Sequence, residues 1–337
     1  MISDLPPILL GCSPFIGAGQ FGAKALQYYR RFYLRPDNMV RLFRKSFDLG
    51  VRAVQLLADK PVGALIEACH STKVKPFIIY STDLSGSRLR NMLDRLGRLE
   101  PEVVAVHAEI SDILDVEKIM ERLSIAREYG ATAGLATHRP GVTIPWIEEA
   151  GIPVEVILSP LNRLGYAMEP DFERSLEGIK SCSRRVVAIK PLAAGRLSPT
   201  AGFEFVYRYV NSAAVCITSE IEMTETYRAA AKAHQERLDQ SIDDSGKIER
   251  HPYDRSVGTS MRTEELARSA GLGNDKEENP TMTKQLIEEE EKERRPHCLY
   301  PGCARFVRVE YSPDSGVTYY VCKRHGRIPK KWTGLPR

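Results

Sequence analysis

Features of membrane and secreted proteins are missing from this sequence of 337 residues. It has no run of about 18 apolar residues, the length that a membrane-spanning helix needs. The first residues, MISDLPPILLGCSP, lack the basic start and the long apolar centre of a signal peptide. We therefore expect a cytoplasmic protein without a membrane partner.

A large charge of one sign is also missing. The 48 basic and 44 acidic residues leave a formal net charge of +4, too small to indicate a nucleic-acid partner for the whole chain. The hydrophobic share of 42% and the charged share of 27% are ordinary for a globular protein. The length allows one large domain or two.

The cysteines do not form the pattern of a disulfide framework. There are seven, an odd number, and Cys12, Cys69, Cys182 and Cys216 each stand alone in an apolar segment. This distribution predicts reduced, buried thiols. The other three cluster near the C-terminus.

Eight short apolar runs, each followed by an amphipathic helical stretch, fill residues 8 to about 240. Such runs predict a parallel sheet covered by helices. Eight such strand–helix units are the number found in the (β/α)8 TIM barrel, an α/β fold. A doubly wound open sheet is the structural alternative, but no run has the pattern of an antiparallel edge strand. The predicted strands are 8–13, 53–58, 76–82, 103–109, 132–138, 154–160, 186–192 and 213–219.

The composition changes twice after the barrel, which we place at residues 1–239. Residues 240–293 are polar and poor in large apolar side chains, which predicts a partly disordered linker. Residues 294–337 carry ten basic and two acidic residues, a formal charge of +8.

Polar and titratable residues collect at the predicted carboxyl ends of the strands, where this fold holds its active sites. Gln55 lies near the end of strand 2, His107 and His138 lie at the ends of strands 4 and 5, and Lys190 lies at the end of strand 7. Strand ends also become polar wherever they meet solvent. Contact with solvent explains the other polar residues better than it explains two histidines and a lysine at neighbouring strand ends. These four residues are our candidate catalytic residues.

Five barrel segments resemble segments of the aldo-keto reductases, in the same order and spacing. They are VVAVHAEISD, EYGATAGLATH, VILSPLNRLG, KPLAAGRL and CITSEIEMTETYRA. The resemblance implies hydride transfer between a nicotinamide cofactor, NADP or NAD, and a small carbonyl compound. It also places the strand-4 histidine of that family at His107.

The other catalytic residues of the family do not match. Its strand-2 aspartate falls on Gln55, its tyrosine five residues later falls on Lys60, and its strand-3 lysine falls near Thr82. The resemblance therefore implies an oxidoreductase with altered catalytic machinery.

The resemblance places a cofactor phosphate near the ends of strands 7 and 8. Gly195 and Arg196 offer backbone N–H groups and a guanidinium, and Thr218 and Ser219 offer neutral donors. Two glutamates in the same stretch would repel a 2′-phosphate. We expect a nucleotide or a phosphorylated substrate here, without a preference for NADPH.

Lys190 supports a different chemistry. A lysine between apolar walls can have a lowered pKa and act as a base or as a Schiff-base nucleophile, with His107 and His138 carrying protons. This alternative is a lyase or an isomerase. In a third interpretation, Lys190 pairs with Glu155, Glu109 or Glu220 across the mouth and does no chemistry. The barrel then only binds, and the C-terminal segment recruits a partner or nucleic acid.

The glycines Gly17, Gly19 and Gly22 follow strand 1 in the frame GxGxxG, a dinucleotide fingerprint. The second strand with its acidic end, expected about 20 residues later, is missing. We interpret the glycines as part of the first βα loop at the barrel mouth.

The C-terminal segment has the spacing of a zinc site. Cys298 and Cys303 form one pair, and Cys322 and His325 form a second pair, with eighteen residues between the two pairs. Zinc takes four such ligands in a structural site, and a segment of about 40 residues rarely folds without a metal. RFVRVEY and GVTYYVC alternate like two strands joined by the turn SPDSG. Incidental thiols in a tail are the alternative.

The basic charge of this zinc-binding module, interleaved with aromatic residues, suits nucleic acid or an acidic protein surface. A solvated basic tail is equally consistent with it.

Overall fold

The computed structural model describes residues 4–243, 308–312, 317–322 and 326–329. The chain divides into two compact units, Met1–Leu272 and Gly273–Arg337. Each unit is described by itself.

The first unit contains a closed barrel in which each strand pairs with the next one in the chain, and β8 closes onto β1. All eight pairings are parallel. The barrel prediction is confirmed, and the open doubly wound sheet is excluded. The strands are β1 Ile8–Gly11, β2 Ala53–Leu57, β3 Phe77–Thr82, β4 Val103–Val106, β5 Thr132–Ala136, β6 Val156–Pro160, β7 Arg185–Ile189 and β8 Ser212–Cys216.

Helices follow the strands and pack their apolar faces on the barrel. In the second helix Met39, Phe43 and Phe47 recur at four-residue spacing and are all buried, as a one-sided helix requires. Within the described ranges no helix combines the length and apolar character needed to cross a membrane. The helices are α1 Ala25–Tyr28, α2 Pro36–Asp48, α3 Asp59–Thr72, α4 Gly86–Leu96, α5 Ala108–Ser111, α6 Val116–Glu128, α7 Pro140–Glu149, α8 Phe172–Ser181, α9 Pro199–Val206 and α10 Glu220–Asp243.

The apolar core has two layers. One fills the barrel interior and takes one residue in two along the strands, among them Leu9, Ala53 and Ile79. The other lies between the strands and the helices and takes the alternate residues, among them Leu10 and Val54. This alternation decides which strand-end side chains point into the barrel.

The segment between β1 and α2 contains the GxGxxG glycines and forms short helical turns rather than a dinucleotide-binding unit. The turns are Ser13–Ile16 and Gly19–Lys24, followed by α1 and one π-helical turn at Tyr29–Tyr33. Gly17 has a φ of +64°, and a Cβ there would lie 2.7 Å from the Cβ of Tyr29. A side chain at this position would therefore force the loop apart.

The second unit contains an antiparallel sheet in the order β11–β10–β9. Its strands are β9 Arg308–Ser312, β10 Val317–Cys322 and β11 Gly326–Pro329. The first two agree with the predicted hairpin, and the third was not predicted. Cys298, Cys303 and His325 lie outside the described residues, as does the side chain of Cys322. The zinc site therefore stays a prediction.

Candidate active site at the barrel mouth

Side chains from five of the eight strands point into the carboxyl end of the barrel. Successive side chains of a strand point to opposite faces, so a residue two positions after an interior residue points inward as well. Applied to the interior core residues of β2, β3, β4, β5 and β8, this gives Gln55, Ser81, His107, His138 and Cys216.

His107 precedes α5 and is held as a neutral hydrogen-bond donor. Its Nδ1 accepts the backbone N–H of Glu109 at 3.3 Å, so the ring proton of the neutral form lies on Nε2. Burial lowers the pKa of His107, against an opposing effect of the Glu109 carboxylate. The residue therefore offers an uncharged N–H donor at neutral pH.

His138 faces His107 edge to face, with ring centroids 6.1 Å apart and planes at 88°. Burial, aided by the charge of Lys190, lowers the pKa of His138 to about 4. Both rings are therefore neutral near pH 7. The two histidines, which the sequence places on neighbouring strands, therefore face each other at the barrel mouth.

Asp112 supports the end of β5 and was missed by the sequence interpretation. Its carboxylate accepts hydrogen bonds from the Thr137 hydroxyl at 2.5 Å, the His138 backbone N–H at 2.9 Å and the Thr143 hydroxyl at 2.8 Å. Nothing in the spacing of AEISD signals this role, because all three partners lie 25 to 31 residues later in the chain.

Lys190 directly follows β7 and is the most strongly perturbed cation near the mouth. It is half-buried and has a φ of +57°, a conformation that costs energy for a non-glycine residue. Burial lowers the pKa of Lys190 from 10.5 to about 8, although the Cys216 and Asp112 groups oppose this effect.

Lys190 forms no ion pair with any described residue. Glu220, one of the carboxylates considered as its partner, pairs instead with Arg41 at 3.4 Å. The neighbouring Cys216 stays a thiol near neutral pH, because burial raises its pKa to about 11. Among the described residues the lysine is therefore a cation without a matching anion.

The two positions that depart from the reductase pattern on β2 and α3 have separate surroundings. Gln55 is only 6% exposed and points into the barrel. Lys60 is exposed, donates to the Tyr33 carbonyl at 3.0 Å and lies 4.3 Å from the Tyr33 ring centroid. These contacts hold Lys60 at the first βα segment.

Thr82, near which the strand-3 lysine of the reductase pattern falls, and its neighbour Ser81 have different surroundings. The Thr82 hydroxyl accepts the backbone N–H of Leu84 at 3.0 Å. Ser81 points inward, is 2% exposed, and its hydroxyl has no hydrogen-bond partner in the described structure. The alternation from Ile79 would have identified it.

The predicted phosphate site at β8 is already satisfied by the protein itself. The Glu222 carboxylate accepts the backbone N–H of Thr218 at 3.1 Å and its hydroxyl at 3.0 Å. In return, Ser219 accepts the N–H of Glu222 at 3.2 Å. An internal anion thus holds both Thr218 donors that a phosphate would need.

The loop after β7 is similarly occupied. The backbone N–H groups of Gly195 and Arg196 donate to the Leu192 carbonyl at 2.9 and 3.0 Å. The Arg196 guanidinium donates to the Ala193 carbonyl at 2.8 Å and lies 4.1 Å from the Tyr166 ring centroid.

Tyr166 then joins two loops of the mouth. Its hydroxyl donates to the Gln20 carbonyl at 2.7 Å, which connects the loop after β6 to the loop after β1. With the Arg196 contact, the loops after β1, β6 and β7 form one connected edge.

These residues do not fit the 2′-phosphate of NADPH, because the Glu222 carboxylate would repel it and the neighbouring donors are already bonded. Metal binding has no support from the described part of the chain either, where no three His, Cys, Asp or Glu side chains form a metal-binding group.

Two solved structures described as an aldo-keto reductase of Pseudomonas aeruginosa are similar to the barrel. Both share 18% identity with this chain and cover 68% of it and 91% of their own length, with TM-scores of 0.51 and 0.50. No family model and no curated protein matches the sequence. At this identity the likeness shows the fold alone, a (β/α)8 barrel.

Proposed function

We propose that the barrel mouth binds a small carbonyl compound and that Lys190 reacts with it as an amine nucleophile. The observation that carries this proposal is the half-buried, unpaired lysine whose pKa lies at about 8. At pH 7.4 about 20% of such lysines carry a free amine, against about 0.1% for an ordinary lysine. Only the free amine attacks a carbonyl carbon.

The reaction requires a bond from Lys190 Nζ to the carbonyl carbon while the carbonyl oxygen takes up a proton. Loss of that oxygen as water then leaves a carbon–nitrogen double bond. His107 supplies a neutral Nε2–H donor for the carbonyl oxygen, and a neutral donor stabilises developing negative charge without an ion pair. His138, beside it, is the second group that can exchange the proton.

A protonated imine withdraws electrons from the neighbouring carbon. The substrate then loses either a proton or a carbon–carbon bond at that carbon, which gives an isomerase or a lyase. The Cys216 thiol is not the nucleophile in this scheme, because burial raises its pKa to about 11.

Borohydride trapping tests this proposal. The full chain is treated with hydroxyacetone and borohydride, and peptides are mapped by mass spectrometry. We expect a reduced adduct at Lys190, with a labelling rate that rises through pH 8. The variant Lys190→Met should lose it, and exposed lysines such as Lys180 report the background. Labelling of Lys190 no faster than that of Lys180 would refute the proposal.

A second candidate is the reduction of a carbonyl compound with a nicotinamide cofactor, which would supply the hydride. The barrel fold and the position of His107 at the end of β4 favour it. Since Glu222 opposes a 2′-phosphate, this candidate requires NADH rather than NADPH. Titration with each cofactor, followed by thermal stability, tests it; no shift with NADH at millimolar concentration would eliminate it.

A further inference from the structure

Two polar side chains point into the barrel interior just below the catalytic candidates. Ser81 is 2% exposed and its hydroxyl is buried with no partner among the described residues. Gln55, on the adjacent strand, is 6% exposed and points into the same interior. Buried polar groups are satisfied in the large majority of cases, so the unbonded Ser81 hydroxyl beside a second polar side chain requires an explanation.

The register places Ser81 under His107 and diagonally beside Gln55. Ser81 pairs with Ala105, which precedes His107 by two residues on the next strand. On the other side, Ser81 pairs with Leu57, which follows Gln55 by two residues. The two polar side chains are therefore diagonal neighbours on adjacent strands, and His107 lies above Ser81.

Gly11 lies beside Gln55 in the barrel wall. It pairs with Gln55 on β2 and with Cys216 on β8. A Cβ at Gly11 would lie 3.2 Å from the Cys216 sulfur and 3.3 Å from the Val215 carbonyl oxygen. A side chain at this position would therefore crowd the neighbouring strand β8.

The interior surface that β5, β6 and β7 contribute at this level is apolar. Its residues are Ala136, Pro160 and Ile189. None of these side chains donates or accepts a hydrogen bond. The barrel interior is therefore polar near β2 and β3 and apolar near β5, β6 and β7.

We propose that Ser81 and Gln55 form a subsite for a substrate hydroxyl, so that the substrate class is a short hydroxyaldehyde or hydroxyketone. A hydroxyl both donates and accepts, and can satisfy the Ser81 hydroxyl and the Gln55 amide together. With the carbonyl carbon at Lys190 and the carbonyl oxygen at His107, a hydroxyl on the adjacent carbon reaches the polar side below. This inference rests on the proposed function of Lys190 and adds the substrate class to it.

Two ketones of equal size test the subsite. Hydroxyacetone carries a hydroxyl where 2-butanone carries a methyl group. The ratio of the borohydride-dependent labelling rates for the two ketones is measured at Lys190. It is then divided by the ratio measured at exposed lysines, which gives the corrected preference. We expect a corrected preference of about tenfold for hydroxyacetone, because two buried hydrogen bonds are gained.

The variant Ser81→Ala separates recognition from folding. It removes a buried hydroxyl that the folded protein leaves unbonded, so its unfolding midpoint in urea should equal or exceed that of the wild type. Its preference for hydroxyacetone should fall severalfold, and Gln55→Met should act in the same direction. A preference that Ser81→Ala leaves unchanged would overturn the subsite.

The variant Lys190→Met tests the subsite independently of the imine. It forms no adduct, but it keeps Ser81 and Gln55, so hydroxyacetone should still bind more tightly than 2-butanone in saturation-transfer NMR. Equal binding of the two ketones overturns the subsite. If the wild type forms no adduct at Lys190 but this binding preference is present, the role of Lys190 is refuted and the subsite is not.

Discussion

Replacing Lys190 by methionine should stabilise the protein while removing its proposed chemistry. A charged amine loses hydration when it is buried, and Lys190 has no ion pair among the described residues to offset this cost. The fall of its pKa from 10.5 to about 8 corresponds to about 3 kcal/mol, since one pKa unit equals about 1.4 kcal/mol. This value is an upper figure for the gain in Lys190→Met.

The pH dependence gives the sign of the effect. The pKa of Lys190 is lower in the folded state than in the unfolded state, so the folded state binds fewer protons between pH 8 and 10.5. The wild type therefore becomes more stable as pH rises through this range, and the cost is complete below pH 8. The methionine variant lacks this titration, so its advantage should shrink by about 1.4 kcal/mol per pH unit above pH 8.

Urea unfolding at pH 7, 8, 9 and 10 measures this difference. Trp146 lies in α7 of the barrel unit, and the background change Trp332→Phe leaves it as the single tryptophan reporter. The matched control is Lys180→Met on the exposed face of α8. A Lys190→Met variant that is less stable at pH 7, or whose difference from wild type is the same at all four pH values, would refute the reasoning.

Three further predictions concern other parts of the chain. Asp112→Ala should lower the free energy of unfolding by about 2 to 3 kcal/mol, because it removes the acceptor of two buried hydroxyls and of the His138 N–H; urea titration checks this, and the loss should exceed that of Asp115→Ala, which removes a helix cap. Gly17→Ala should destabilise the first βα segment, since the added Cβ would lie 2.6 Å from the Ala25 carbonyl oxygen; limited proteolysis should show faster cleavage between β1 and α2. Elemental analysis should find about one zinc per chain, reduced in Cys298→Ser and unchanged in Cys69→Ser; a zinc-free chain would contradict the ligand prediction, and salt-dependent RNA or DNA binding would test the basic segment.

The strands could be predicted because a strand that is buried on both faces consists of a continuous apolar run. Every strand of the barrel lies inside a predicted run or begins one residue before it. Runs such as AVQLL and FIIYST leave no polar face. The third C-terminal strand, Gly326–Pro329, was missed because GRIP is short, basic and ends in proline. A strand of that composition gives no periodic signal.

The site was predicted only in part, since its members come from different strands. His107, His138 and Lys190 were identified as strand-end residues, and their proximity follows from the closed barrel. Ser81 was not singled out, because the resemblance indicates only the neighbourhood of Thr82 and not which side chain enters the barrel. Asp112 had no local signal, because its role depends on partners on β5 and α7.

The sequence by itself determined the barrel. Eight apolar runs, each followed by a helical stretch, specify which segments pair. The ends of the strands specify where chemistry can occur. The tertiary structure decided what those ends can do. It buried Lys190 without a counter-ion, bonded the Thr218 hydroxyl to Glu222, and left the Ser81 hydroxyl without a partner. The physical reason is that desolvation and hydrogen-bond satisfaction depend on all the atoms surrounding a group, and neighbours far apart in sequence supply most of them.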